Sequence, residues 1–244
     1  MNPIIVIPAR MASTRLPGKP LAEIAGAPMI VQVWRRAKEA GIGPVLVAAA
    51  EPEIAAAVER VGGSAILTDA DLPSGSDRAK QAVDRADPGW VHDVVLCVQG
   101  DVPTIEPAAI AAALEALAST GAEIATLVAE AREERERTDP NVVKAVVTWD
   151  AGGRLGRALY FTRATAPTGD GPLWHHIGIY AYRRTALDRF VALPPSPLER
   201  RERLEQLRAL EAGMTIAVAR VDVVPLGVDT PADLERARAL LAET

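Results

Sequence analysis

Short apolar runs alternate with amphipathic stretches of helical length from the first residues onward, and this alternation constrains the fold more than any other feature. Residues 4–7 read as a buried strand, and 45–49, 65–67, 93–98 and 124–128 as further strands, 93–98 the strongest. Between them, residues 29–40, a stretch from Pro52 to Gly62-Gly63, 77–86 and 107–118 carry helical spacing; the first is preceded by Pro28 and ended by Gly41. Strands joined by helices of this length need right-handed crossovers. They predict an α/β fold with a mostly parallel sheet and helices on both faces. After residue 140 the rhythm changes. Residues 142–149 and 154–161 flank the hairpin signal Asp150-Ala151-Gly152-Gly153, and 177–182 adds a strand, so the second half carries an antiparallel excursion. A long charged helix is expected over 198–211, a strand over 215–221 and a last helix from Pro231.

Composition narrows the partners. The chain has 244 residues, 49% of them hydrophobic, enough for one large α/β domain or two small ones. With 24% charged residues and a net charge of −5, it is neither a disordered chain nor a polybasic nucleic-acid binder. Its single cysteine, Cys97, sits in the run Val94-Val95-Leu96-Cys97-Val98; it excludes an intrachain disulfide and reads as a buried thiol. Three histidines and one cysteine argue against a zinc centre. No signal-peptide pattern opens the chain and no apolar run is long enough for a bilayer, so a cytoplasmic protein without membrane or nucleic-acid partners is expected.

Four stretches hold residues suited to chemistry. Pro8-Ala9-Arg10-Met11-Ala12-Ser13-Thr14-Arg15-Leu16-Pro17-Gly18-Lys19-Pro20 places three cations after the first strand, at the sheet edge where open parallel sheets bind ligands. Arginine forks and a lysine point charge suit a triphosphate, and a solvated surface loop is the plain alternative. The loop is not a P-loop, and no G-x-G-x-x-G follows a strand. Val98-Gln99-Gly100-Asp101 ends the strongest strand with a carboxylate able to hold a hard cation, behind a glycine expected to permit an unusual backbone angle. In Gly227-Val228-Asp229-Thr230-Pro231-Ala232-Asp233, Thr230, Pro231 and Asp233 fit a capped helix start, which leaves Asp229 over. Asp229 is either a loop aspartate or the partner of Asp101 in a Mg²⁺ pair. The fourth stretch is dispersed: Tyr160 to Pro167, His175-His176-Ile177-Gly178-Ile179-Tyr180, and Ser196-Pro197-Leu198-Glu199. Arg, His, Tyr and Glu together suit an acidic polyol; half-buried strand polar groups with local partners are the alternative.

Taken together, Pro8-Ala9-Arg10, Ser13-Thr14-Arg15-Leu16-Pro17-Gly18-Lys19-Pro20-Leu21, Val98-Gln99-Gly100-Asp101 and Leu159-Tyr160-Phe161-Thr162-Arg163 resemble the 3-deoxy-manno-octulosonate (Kdo) cytidylyltransferase family. His176-Ile177-Gly178-Ile179-Tyr180, Ser196-Pro197-Leu198-Glu199, Glu205-Gln206-Leu207-Arg208 and Gly227-Val228-Asp229-Thr230-Pro231 extend the resemblance, in order, over essentially the whole chain. It implies a Rossmann-like nucleotidyltransferase fold, usually a homodimer, that couples CTP to Kdo, releases pyrophosphate and serves lipopolysaccharide synthesis. Carried onto this chain, it implies nucleotide binding by Ala9, Arg10, Ser13, Arg15, Lys19 and Gln99, and Mg²⁺ binding by Asp101 and Asp229. Lys19, Asp101 and Asp229 form the implied catalytic set, and Arg163, His176, Tyr180, Glu199 and Gln206 face the sugar. The implied organisation is one domain over 1–244. Its nucleotide part covers about 1–135 and 214–244, and its sugar and dimerisation part about 140–213. The chain departs from the family pattern at Val102, Ala49-Ala50 and His175, and in the short segment between Pro167 and His175. Its rivals are a cytidylyltransferase for another acid sugar, sialic-acid-like or 8-amino-Kdo, and a catalytically silent sugar-nucleotide-binding protein.

Overall fold

The fold is taken from a computed structural model, which describes residues 1–242. The described residues pack as two compact units, one of residues 1–111 with 225–242, the other of residues 112–224. Residues 112–135 and 214–224, expected beside the nucleotide, thus cluster with the second unit.

In the first unit, β1 (Pro3–Ala9) is followed by a loop, a short 3₁₀ turn at Lys19–Leu21, and the two-residue strands β2 (Glu23–Ile24) and β3 (Ala27–Pro28). Then come α1 (Met29–Glu39), β4 (Val45–Ala49), α2 (Pro52–Glu59), β5 (Ser64–Leu67), α3 (Gly75–Ala86) and β6 (Val94–Cys97). The sheet order is β5-β4-β1-β6, and every pair is parallel. All seven residues of β1 and all four of β6 are buried, as a strand covered on both faces requires. Cys97 is a buried free thiol, as its apolar setting predicts. Helix α1 turns Met29, Ile30, Val33 and Trp34 inward while Arg35 stays exposed.

Helix α4 (Pro107–Thr120) carries the chain into the second unit. There follow β7 (Ile124–Glu130), α5 (Glu134–Thr138), β8 (Lys144–Trp149), β9 (Leu155–Thr162), β10 (Trp174–Arg183), α6 (Arg184–Ala192), α7 (Pro197–Glu202), α8 (Leu207–Glu211) and β11 (Ile216–Val221). The order here is β10-β7-β11-β9-β8. Only β7–β11 is parallel; β10–β7, β11–β9, β8–β9 and β10–β8 are antiparallel. The expectation of a mostly parallel sheet therefore holds for the first unit and is corrected for the second, where the pairing is mixed. The reason is local. The Asp150–Gly153 turn folds β8 back on β9, and the ten residues of β10 are long enough to pair with both β7 and β8.

The single helix expected over 198–211 is also corrected. Arg203 is left-handed, with φ 57°, and separates α7 from α8. The break lets Leu204 and Leu207 both be buried. It also frees the Glu202 and Arg203 carbonyls, which accept hydrogen bonds from Arg163 at 2.8 and 3.4 Å. The chain then returns to the first unit and ends in α9 (Pro231–Ala242), where Val228, Leu234 and Ala237 pack with Ile24 and Met29. Glu243 and Thr244, the end of the expected domain, lie outside the described residues.

Candidate active site

At the carboxyl edge of the first unit's strands a cleft of about 740 Å³ opens. Its floor is the end of β1 and the residues after β6, and the opening loop forms one wall. That loop is held by its own backbone: the Met11 N–H donates to Glu51 Oε2 at 2.9 Å, the Leu16 N–H to Ser13 Oγ at 3.4 Å, and the Lys19 N–H to the Leu16 carbonyl at 3.1 Å. Gly18, at φ 70°, makes the left-handed step into the 3₁₀ turn that presents Lys19.

Two carboxylates distant in sequence converge on that lysine. Lys19 Nζ stands 2.7 Å from Asp101 Oδ2 and 3.1 Å from Asp229 Oδ1, and Arg15 reaches Asp229 Oδ2 at 3.0 Å. Burial works to strip the Lys19 proton, but the two carboxylates outweigh it and raise its pKa above the ordinary lysine value. Backbone stitching brings Asp229 here. The Val228 N–H donates to the Asp101 carbonyl at 2.9 Å and the Leu226 N–H to Thr104 Oγ1 at 3.0 Å. Beyond it, the helix cap read from sequence is present: Thr230 Oγ1 accepts the Asp233 N–H at 3.2 Å, while the Asp233 carboxylate accepts the Thr230 N–H at 3.0 Å.

Gly100 has a different task from the one expected. Its φ is not positive; a Cβ there would stand 2.8 Å from the Pro8 carbonyl oxygen, so the constraint is close backbone approach. Gly100→Ala should cost about 1–3 kcal/mol of stability and lower turnover as well, because the strain falls between the two strand ends that carry the loop and Asp101. A melt and a saturating-substrate turnover check this; wild-type values in both would contradict it.

A further part of the lining was not foreseen. Ser74 caps α3 by accepting the Asp77 N–H at 3.2 Å, and Ser74, Gly75 and Arg78 line the cleft, so a helix N-terminus faces it. Arg78 is buried and donates to Thr68 Oγ1 and to the Asp69 and Ala70 carbonyls. Burial, then the Arg10 guanidinium nearby, draws its pKa below the usual arginine range. The sequence signal was the Ser74-Gly75-Ser76-Asp77 cap with an arginine one turn on. Ala9, Arg10, Ser13, Arg15, Lys19, Gln99, Asp101 and Asp229 all line this cleft. Four cations and a helix N-terminus make it suited to a polyanion.

The donor set also fits a hard divalent cation. Asp101 and Asp229 bring carboxylate oxygens to either side of the Lys19 ammonium, both partly open to the cleft. Among the described residues no group of three or more His, Cys, Asp or Glu could hold a metal. Two carboxylates completed by phosphate oxygens is the pattern magnesium favours.

The five residues that the resemblance assigns to the sugar lie in the second unit. The His176 and Tyr180 rings are neighbours at 5.6 Å, and Phe161 meets His176 edge-on at 4.8 Å. Burial, with His175 adjacent, pushes His176 down to about 3. Arg163 is engaged with backbone, its Nε on the Glu202 carbonyl at 2.8 Å and Nη1 on the Pro140 carbonyl at 2.9 Å. Beside it, fully buried Lys144 donates to the Asp139, Val142 and Arg163 carbonyls at 2.7, 2.8 and 3.3 Å. Glu202, also unforeseen, accepts the Arg163 N–H at 3.0 Å and the Thr162 hydroxyl at 2.8 Å. Glu199 completes a capping box with Ser196 and takes Arg208 on both oxygens, at 2.6 and 2.9 Å. Gln206 is buried at the start of α8, its Nε2 without a hydrogen-bond partner among the described residues. A second cavity in this unit, about 540 Å³, is lined by none of these five.

Over residues 4–216 the chain matches the family described as cytidylyltransferase. It is 71% identical, over 241 residues, to a 3-deoxy-manno-octulosonate cytidylyltransferase of Parvibaculum lavamentivorans, covering 99% of this chain and 93% of that one. To the protein of the same name from Rhodospirillum centenum it is 68% identical over 240 residues, covering 98% and 93%. Among solved structures, CMP:2-keto-3-deoxy-manno-octonic acid synthetase complexed with CTP superposes with a TM-score of 0.91 at 39% identity, covering 100% of this chain and 99% of that one.

Proposed function

Because the chain belongs to the family of 3-deoxy-manno-octulosonate cytidylyltransferases, we propose that the first unit's cleft holds CTP and a divalent cation while residues of the second unit select the sugar. The enzyme transfers CMP from CTP to Kdo and releases pyrophosphate. The observation that carries our reading of the site is the meeting of Asp101 and Asp229 on Lys19 Nζ at the sheet edge.

In this reading Arg10, Arg15 and Lys19 bind and neutralise the triphosphate, with the α3 N-terminus adding its partial positive charge. Ala9, Ser13 and Gln99 hold the rest of the nucleotide. The Kdo anomeric hydroxyl attacks the α-phosphorus; its oxygen forms the new P–O bond, the bond to the bridging β-phosphate oxygen breaks, and pyrophosphate carries the electrons away. Asp101 and Asp229 hold the cation, Mg²⁺ in our reading. When bound it would offset phosphate charge and ease loss of the anomeric hydroxyl's proton to solvent. The residues themselves act by positioning and electrostatics, which suffice for transfer to phosphorus without a dedicated side-chain base.

For the sugar, His176 and Tyr180 meet hydroxyls, Gln206 brings an unspent amide donor, and Arg163 draws the carboxylate. Glu199, with both oxygens on Arg208, acts by holding α7 in place. We place the enzyme in the cytoplasm as a homodimer serving lipopolysaccharide synthesis; among the described residues no helix is long and apolar enough to cross a membrane.

Pyrophosphate release over a matrix of nucleoside triphosphates and 2-keto sugar acids tests the reading. CTP with Kdo should lead, well ahead of UTP or purine triphosphates and of sialic-acid-like or amino-substituted acids. Equal turnover with UTP would remove the nucleotide claim, and preference for another acid sugar would remove the sugar claim.

A further inference from the structure

Thr126 is wholly buried in β7, opposite the irregularity where the β10 register slips between Ile177 and Tyr180. Three polar atoms of β10 converge on its one hydroxyl. The Ile179 carbonyl oxygen lies 2.8 Å away, that of Ile177 3.1 Å, and His176 Nε2 3.0 Å.

A hydroxyl has a single proton to give and lone pairs to receive with. The two carbonyl oxygens can only accept, so the Thr126 proton belongs to them, the nearer one above all. Giving it to His176 instead would leave two buried acceptors facing a lone pair. His176 Nε2 therefore carries a proton and donates it to Thr126 Oγ1. Burial keeps this imidazole neutral, so it has one N–H in all. With Nε2 as donor, Nδ1 is left with a lone pair. No hydrogen bond among the described residues reaches Nδ1, and Phe161 and Tyr180 hold the plane of the ring.

We propose that Thr126 is a positioning residue for sugar recognition: its buried hydroxyl locks His176 as the Nε2–H tautomer, which offers Nδ1 as an acceptor to a hydroxyl donor of the acid sugar. The opposite tautomer would turn an N–H outward and favour the sugar's carboxylate or ring oxygen. Thr126 thus decides which chemistry His176 reads. The substrate half of this proposal rests on the reading of His176 as a sugar-facing residue; the tautomer half does not.

Two measurements test it. In ¹⁵N-labelled enzyme the ring signals of three histidines are few enough to assign, with His176→Ala identifying the one in question. Wild type and Thr126→Ser should show a protonated Nε2 and a bare Nδ1, and Thr126→Val a mixture or the reverse. In steady state, Thr126→Val should raise the KM for Kdo about tenfold, the loss expected for one misdirected hydrogen bond, with KM for CTP unchanged. Thr126→Ser should return it to within about twofold of wild type. A purely structural threonine would alter melting without this KM split or its rescue. A protonated Nδ1 in wild type overturns the proposal. So does an unchanged KM for Kdo in Thr126→Val when His176→Ala raises it. If His176→Ala leaves that KM unchanged, the sugar-site reading falls and the substrate half with it, while the ring signals still decide the tautomer. Should the valine variant not fold, the wild-type ring signals and Thr126→Ala decide the same points.

Discussion

Asp101→Asn and Asp229→Asn should each slow turnover about a thousandfold, a loss of ~4 kcal/mol of transition-state stabilisation, while barely moving the melting temperature. Asparagine keeps the shape of aspartate and removes its charge, so the substitution tests charge without opening a cavity. In the folded protein both carboxylates touch Lys19, and they do so partly exposed at the cleft. Pairs of that exposure contribute at most about 1 kcal/mol to stability. The large effect must therefore come from the reaction. Turnover at saturating CTP and Kdo, measured across a Mg²⁺ titration beside thermal melts, separates the two. Near-normal turnover in both variants, or full wild-type activity in excess EDTA, contradicts the assignment.

Arg208→Met should have the largest effect on stability, about 3–5 kcal/mol, or roughly 6–20 °C in melting temperature. The side chains of Arg208 and Glu199 are only 10% and 12% exposed, and the guanidinium grips both carboxylate oxygens while lying 5.2 Å over the Phe190 ring. Methionine fills much of the stem but strands the carboxylate. The sign with pH follows from Glu199. Burial alone would raise its pKa, yet Arg208 and the Ser196 N–H outweigh burial and hold it below the ordinary glutamate value. A depressed folded pKa contributes stability above the unfolded value, and that stability is lost as pH falls through the folded one. In the variant, burial acts unopposed and Glu199 takes up a proton at higher pH. The gap in melting temperature between wild type and variant should thus be widest near pH 7 and narrow toward about pH 4. A gap that stays constant with pH would assign the loss to packing alone.

What the sequence revealed differs between the two units for physical reasons. In the first unit the parallel strands are short apolar runs joined by helices, so local pattern and tertiary role agree, and β4 spans the expected 45–49; the two-residue β2 and β3 are too short to carry a pattern. The meeting of Lys19, Asp101 and Asp229 there was legible because they are charged residues that secondary structure does not account for. Arg78 was not, because an arginine inside a helix reads as a solvated face unless its burial is known. In the second unit, long-range contacts override local pattern. The charged stretch around Arg203 has helical spacing, but Arg163 claims carbonyls that a continuous helix would have kept for itself. The short helix α6 escaped notice as well. Its buried face includes Arg184, which looks polar in the sequence. The roles of Lys144, Glu202 and Thr126 lie in the hydrogen bonds of their side chains, which no spacing rule encodes.

The first unit is built from two segments that flank the second, and Val228 joins them by donating to the Asp101 carbonyl. During synthesis, then, the loop, the parallel strands and Asp101 leave the ribosome before the second unit, and Asp229 only after it. The carboxylate pair can form only after the whole intervening unit has been translated. Compaction of that unit shortens the effective loop and so eases the final closure. Pairing of the two carboxylates is therefore timed to the return of the chain: one stalled within the second unit carries the opening loop and Asp101 and still lacks Asp229.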